Sequence, residues 1–145
     1  MYKRLRNHFQ FQNQMMLFPI GHRLKYSLNI FGPIRSTSFV HLANIFHPKT
    51  IDACFSHEGH EEVGGIKTED NQWNLVGHQQ RLIHVEEKEL SLFALLYDDP
   101  GTKPLQARLP ALHSQPLQSV LKKFSIYPKR LGDINTKYFA TEMWH

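Results

Sequence analysis

Between Arg23 and Phe31 the chain alternates without a break. Leu24, Tyr26, Leu28 and Ile30 fall on one side and Lys25, Ser27 and Asn29 on the other, until Gly32-Pro33 stops the run. Period two over this length predicts a half-buried strand. Residues 2–18 are less regular. Leu5, Phe9 and Met16 fall near one helical face, which predicts a helix, although Phe9 and Phe11 also fit a period of two. Pro19 and Gly21 end that segment. The apolar run Phe39–Phe46 suits a short helix slightly better than a strand, and Pro48 is well placed to open a second short helix reaching Phe55.

From Ser56 to Gln80 no apolar periodicity survives. Glycines and charges alternate with polar residues, predicting a long central loop with a small hairpin around Trp73. Order returns at Val85–Asp98, where Glu86, Glu87 and Glu89 occupy a first turn and Leu90, Phe93, Ala94 and Tyr97 make a helical stripe. Leu105–Leu112 is extended, with Pro110 barring a central sheet position. Ser114 then caps a helix with the stripe Leu117, Val120, Leu121 and Phe124, ended by Tyr127-Pro128. The expected class is α+β, with a few short strands and two to four helices. The stretch Lys137–His145 stops in mid-pattern on Met143, Trp144 and His145, as expected of one incomplete domain over 1–145. Its parts are a helix and strand shoulder at 1–35, the acidic glycine-containing loop at 56–80 and a helical part at 85–145.

Charge divides this picture. Residues 52–99 hold eleven acids against Lys67, Arg81 and Lys88, a net of −8, while the flanks hold fourteen bases against Asp133 and Glu142, a net of +12. Basic flanks favour polyanions such as nucleic acid, unless the thirds neutralise one another in the fold. No apolar run approaches the ~20 residues of a membrane helix. The single cysteine, Cys54, excludes an intramolecular disulfide, so a cytoplasmic protein is expected.

Candidate chemistry is sparse. His57, His60 and His78 lie in the loop beside Glu58, Glu61 and Glu62. The string H-E-G-H-E is not the helical H-E-x-x-H motif, however, and one cysteine excludes the common structural zinc sets, so no metal site is assigned. Cys54 sits on an apolar helix face, where a thiol behaves as a small hydrophobe. Phosphate-loop, dinucleotide-binding and serine-hydrolase motifs are all missing, and no catalytic residue is assigned. What remains is cationic. Lys3, Arg4, Arg6, Arg23 and Lys25 interleave with His8, Phe9 and Phe11, and Lys122, Lys123, Lys129 and Arg130 cluster later. Cations bind phosphates and aromatics stack on unpaired bases, so these nine are the candidate nucleic-acid contacts.

Several strings carry a resemblance: LRNHFQFQNQMMLF, KYSLNIFG, ANIFHPKTIDACF, GGIKTEDNQWNLVGHQQRLI, LQARLPALHSQPL and RLGDINTKYFATEMWH. Together they resemble an internal segment of the large adenine-specific DNA methyltransferases of bacterial restriction-modification and phage-defence systems. The resemblance implies a parent that methylates adenine with S-adenosylmethionine on a Rossmann-like domain and reads its target elsewhere. It implies a partial α/β methyltransferase-like segment here, in contact with DNA or with a catalytic or recognition part of the same system. The family's glycine-rich cofactor motif and its Asn-Pro-Pro-aromatic tetrapeptide are not in this chain. No cofactor-binding or catalytic residue is therefore carried over, and the segment alone is expected to transfer no methyl group. The alternatives are a stand-alone interaction module whose acidic loop binds a basic partner, and a metal protein built on the loop histidines.

Overall fold

Residues 5–12 form a strand, and the sheet is built around it. In the computed structural model, which describes residues 1–127 together with Lys129, Phe139 and Thr141, β1 (Leu5–Gln12) is paired along both edges. On one side it pairs antiparallel with β2 (Lys25–Phe31), and on the other parallel with β3 (Ser38–Ile45). β3 in turn pairs antiparallel with β4 (Ile83–Glu86), giving the order β2-β1-β3-β4. The helix expected over residues 2–18 is therefore a strand between two short 3-10 turns, Tyr2–Arg4 and Asn13–Met15. The alternation of Phe9 and Phe11 with His8, Gln10 and Gln12 decides it, because a two-faced sheet can bury one set and leave the other partly wet.

The second correction is β3, expected as a short helix. It is covered on both faces, so its apolar run has no reason to alternate, and periodicity could not separate strand from helix. β4 was hidden for a similar reason. It has four residues, and Ile83 and Val85 point inward just before the acidic start of a helix.

The helices match expectation more closely. α1 (Lys49–Ser56) follows Pro48, α2 (Glu87–Tyr97) follows Glu86, and α3 (Gln115–Ser125) follows Ser114. At α2 the Glu86 side chain accepts from the backbone of Glu89, and the Glu89 carboxylate accepts from Glu86 N–H at 3.1 Å. This reciprocal box satisfies two otherwise unpaired donors. The described residues thus form an α+β fold, a four-stranded mixed sheet with three helices. None of these helices is long and apolar enough to cross a membrane. Arg130, Tyr138, Met143 and Trp144 lie outside the described residues.

The two sheet faces carry separate cores. On one, Phe9, Phe11, Leu42 and Ile45 pack with Cys54 and Ile51 of α1 and with Leu82. On the other, Leu5, Phe39, Ile83 and Val85 pack with Tyr2 and with Leu90, Phe93 and Ala94 of α2. α3 is held more lightly. Leu121 is buried, but Leu117, Val120 and Phe124 of its stripe stay exposed.

The long loop is real, and it is tied down at defined points. A bridge between Lys67 and Trp73 makes the expected hairpin, and Trp73 stacks on Phe46 with centroids 4.6 Å apart. Arg81 is fully buried. Its Nη1 donates to Val76 O at 3.1 Å, and its Nη2 to Ala43 O and Asn44 O at 3.2 and 3.0 Å. Gly77 lies flat against α1, and a Cβ there would come within 2.3 Å of the Ala53 carbonyl carbon and 2.4 Å of Cys54 N. Backbone cannot yield as a side-chain tip can. Gly77→Ala is therefore expected to lower the unfolding free energy by about 1–3 kcal/mol, read as a shift of the urea midpoint. Gly65→Ala, whose Cβ meets Lys67 O at an unstrained 3.4 Å, is expected to leave the midpoint in place.

Candidate nucleic-acid interface

β2 runs back along β1 and ends beside the start of that strand. To reach β3 on the far side of β1, residues 32–37 must cross the chain entering β1. Arg35 N–H donates to Lys3 O at 3.0 Å and Gly32 N–H to Arg4 O at 2.8 Å, which pins the crossing. Lys3, Arg4, Arg6 and Arg35 are thereby gathered at one corner of the sheet. Arg4 Nε donates to Gly32 O at 3.3 Å, Arg6 Nη2 to Pro33 O, and Arg35 Nη2 to Ser38 O at 2.9 Å. Gly32 leaves the room for this, since a Cβ there would lie 2.8 Å from Arg6 Nε. Among the described residues no carboxylate lies within ion-pair distance of any of the four. Desolvation, and after it the Arg35 charge, pulls the Arg6 guanidinium below its ordinary value. The corner is a concentration of positive charge held by carbonyls.

Arg23 and Lys25 are at the opposite end of β2, where Lys25 pairs with Gln12. Seven strand residues place the two ends roughly 20 Å apart. The N-terminal candidates thus form two groups on one strand pair. The later candidates belong to another element. Lys122 on α3 faces Glu89 of α2 at 3.9 Å, while Lys123 and Lys129 are exposed. Sequence reasoning missed Arg35. Its sign was the Gly32-Pro33 break just before it, which marks a tight crossing, but the partner strands across that crossing are not visible locally.

Between the two cationic ends, β1 and β2 share one polar face. The register sets Gln12 beside Lys25, Gln10 beside Ser27 and His8 beside Asn29. Ser27 Oγ accepts from Asn29 Nδ2 at 3.1 Å, and Gln12 Nε2 donates to Asn44 Oδ1 at 2.8 Å. Gln10 Oε1 is buried without a partner among the described residues. Beside this face the extended segment 109–113 lies over β3, with Ala111 O accepting from Asn44 Nδ2 at 3.4 Å. On the opposite face Phe11 stacks on Tyr26 at 5.0 Å, but Leu24, Leu28 and Ile30 are each about half exposed. β2 is a strand as expected, yet among the described residues its apolar side is only half covered, because α1 reaches no further than β1 and Tyr26.

The loop histidines do not converge on a metal geometry. His57 and His78 stack with centroids 4.2 Å apart. His78 Nε2 lies 2.7 Å from Glu61 O, and His78 Nδ1 accepts from Gln80 N–H at 3.0 Å, so both of its ring nitrogens are used. His57 Nδ1 accepts from Gly59 N–H at 2.8 Å, and His60 sits exposed beside Glu58. Among the described residues no group of three or more His, Cys, Asp or Glu side chains could hold an ion. Cys54 is buried, and that burial pushes its thiol up despite the nearby His78 backbone and Arg81.

Comparison with models of protein families, with characterised proteins and with solved structures finds no match in any of the three.

The interface is footed on a histidine pair. His8 Nδ1 and His41 Nδ1 are 2.8 Å apart, and His41 Nε2 is 3.1 Å from Pro110 O. A carbonyl accepts, so His41 Nε2 carries the proton, its Nδ1 is the acceptor, and His8 Nδ1 donates. Both rings are neutral in this arrangement. Burial, then the His8 charge, pushes His41 down to about 4, and burial lowers His8 as well. An unfolded histidine titrates near 6.5, so between about 6.5 and 4 the unfolded chain binds more protons. Stability is complete above this window and falls as the pH drops through it, by roughly 3 kcal/mol for His41. Urea midpoints from pH 7.5 to 4.5 check the trend, and His41→Gln is expected to flatten it. The lowered Asp98, held by Arg108, contributes below that window.

Proposed function

We propose that the chain is a non-catalytic, DNA-contacting segment of an adenine-specific DNA methyltransferase of the bacterial restriction-modification or defence type, acting in the cytoplasm. The supporting observation is the corner where Lys3, Arg4, Arg6 and Arg35 meet without a carboxylate. Such a corner supplies the sequence-independent phosphate contacts that position a protein on DNA. An enzyme that extrudes a base from the duplex needs contacts of this kind beyond its pocket. Methyl transfer with S-adenosylmethionine belongs, in this reading, to another part of the system, because this chain has neither the cofactor motif nor the adenine-binding tetrapeptide. The half-exposed row Leu24, Leu28 and Ile30 favours a second reading that is compatible with the first, an interaction module whose apolar flank packs on a partner.

Fluorescence anisotropy with a labelled duplex tests the DNA part. Affinity is expected to fall steeply between about 50 and 200 mM salt, with a log–log slope near −0.9 per phosphate contacted. Replacing Lys3, Arg4 and Arg35 together by Gln is expected to reduce that slope by about 2–3. A salt-independent affinity, or no binding of either a duplex or a single strand at the lowest salt, overturns the proposal. The family part is checked by sequencing the DNA on either side of the reading frame. An adjoining frame that encodes Asn-Pro-Pro-aromatic supports it, and flanks carrying neither that motif nor a recognition domain count against it.

A further inference from the structure

We infer that the nucleic acid carried by this surface is an unpaired strand, laid along the polar face of β1 and β2 from the Arg4–Arg35 corner to Lys25. The inference deepens the phosphate-contact reading above and rests on it. Three features of the face point to it. The first is charge. Both ends are cationic, and the paired rows between them (His8, Gln10 and Gln12 with Lys25, Ser27 and Asn29) contain no acid. No acid in these rows repels a polyanion laid along them.

The second is chemistry. Ser27 and Asn29, both exposed, carry a hydroxyl and an amide that donate and accept and can satisfy the edges of bases, whereas phosphate alone would call for more cations. Phe31, on the same side of β2 by alternation and half exposed, gives a flat surface for stacking.

The third is shape. A two-stranded ribbon can enter the major groove of a duplex, but here β1 is not free to do so. It is bonded to β3, and Pro110 and Ala111 sit over His41 and Asn44 on the same side. That segment stands beside the face and keeps the amides away from base edges recessed in a groove. Unpaired bases can splay down onto it. The roughly 20 Å between the cationic ends accommodates about four nucleotides, at the small end of known single-strand platforms.

The experiment compares one labelled oligonucleotide as a single strand and as a duplex, both titrated with the full chain by anisotropy at low salt. The single strand is expected to bind at least about tenfold more tightly. Replacing Ser27 and Asn29 together by Ala is expected to weaken the single strand by about 3–10-fold and leave the duplex unchanged, since both side chains are exposed and the fold does not need them. Leu28→Ser, on the opposite face of the same strand, is expected to leave both affinities in place. Equal affinities, or a loss from Leu28→Ser as large as that from the polar pair, overturn the unpaired-strand inference while the phosphate reading stands. Binding of neither form overturns both.

Discussion

The structure depends on β1 being hydrogen-bonded along both edges. A strand with two neighbours has most of its backbone groups paired, so its position is fixed and its side chains must divide between two faces. Phe9 and Phe11 seed one core, and Leu5 joins the other. The polar alternates His8, Gln10 and Gln12 are left with three outlets: each other, β3, or whatever lies above the sheet. His8 turns to His41 and Gln12 to Asn44, while Gln10 keeps an oxygen unpaired. The antiparallel neighbour β2 inherits the same division, and as an edge strand it has little to cover either side. The open surface therefore follows directly from the sheet order.

The long loop shows a different means of fixing a chain. It has no periodic face to bury, so it is anchored by a few polar ties and one close approach. Arg81 does most of this. A buried guanidinium without a carboxylate would be costly if it were also without hydrogen bonds. Three carbonyls, from two separate parts of the chain, offset part of that cost, with Nε left unpaired among the described residues, and together they clamp the loop at Val76 to the end of β3. Gly77, next to the clamp, lets backbone meet backbone at α1.

How much of this was legible in the sequence depends on whether local pattern or sheet partners set each feature. β2, α1, α2, α3 and the Trp73 hairpin were readable, because alternation, capping residues, proline and glycine act within a few positions. β1 and β3 were not, and the reason differs between them. Residues 2–18 have mixed periodicity because β1 is flanked by two 3-10 turns, and β3 has none because both of its faces are covered. The site was half legible. The cations Lys3, Arg4 and Arg6 could be nominated as charges, but their junction with Arg35 depends on a crossover no local pattern reveals. The separation of Arg23 and Lys25 from them likewise depends on β2 running antiparallel to β1.

No acid of the middle of the chain pairs with the basic corner among the described residues, and several of those acids are already engaged elsewhere. Glu86 and Glu89 form the start of α2, where their carboxylates satisfy backbone donors and the helix dipole favours them. Lys88 and Lys122 then take the remaining charge of each at 2.9 and 3.9 Å. Asp98 accepts from both the backbone and the side chain of Arg108. Glu58 is beside His60 in the loop. Glu86, Glu89 and Asp98 are each committed within their own neighbourhood, and two of them have drawn in Lys122 and Arg108 from the basic C-terminal third. The C-terminal cations are in part neutralised by the fold, and the N-terminal ones are not. A net charge read from composition could not show that asymmetry, which leaves the four cations at the start of β1 without an ion-pair partner among the described residues while Lys122 of α3 faces Glu89.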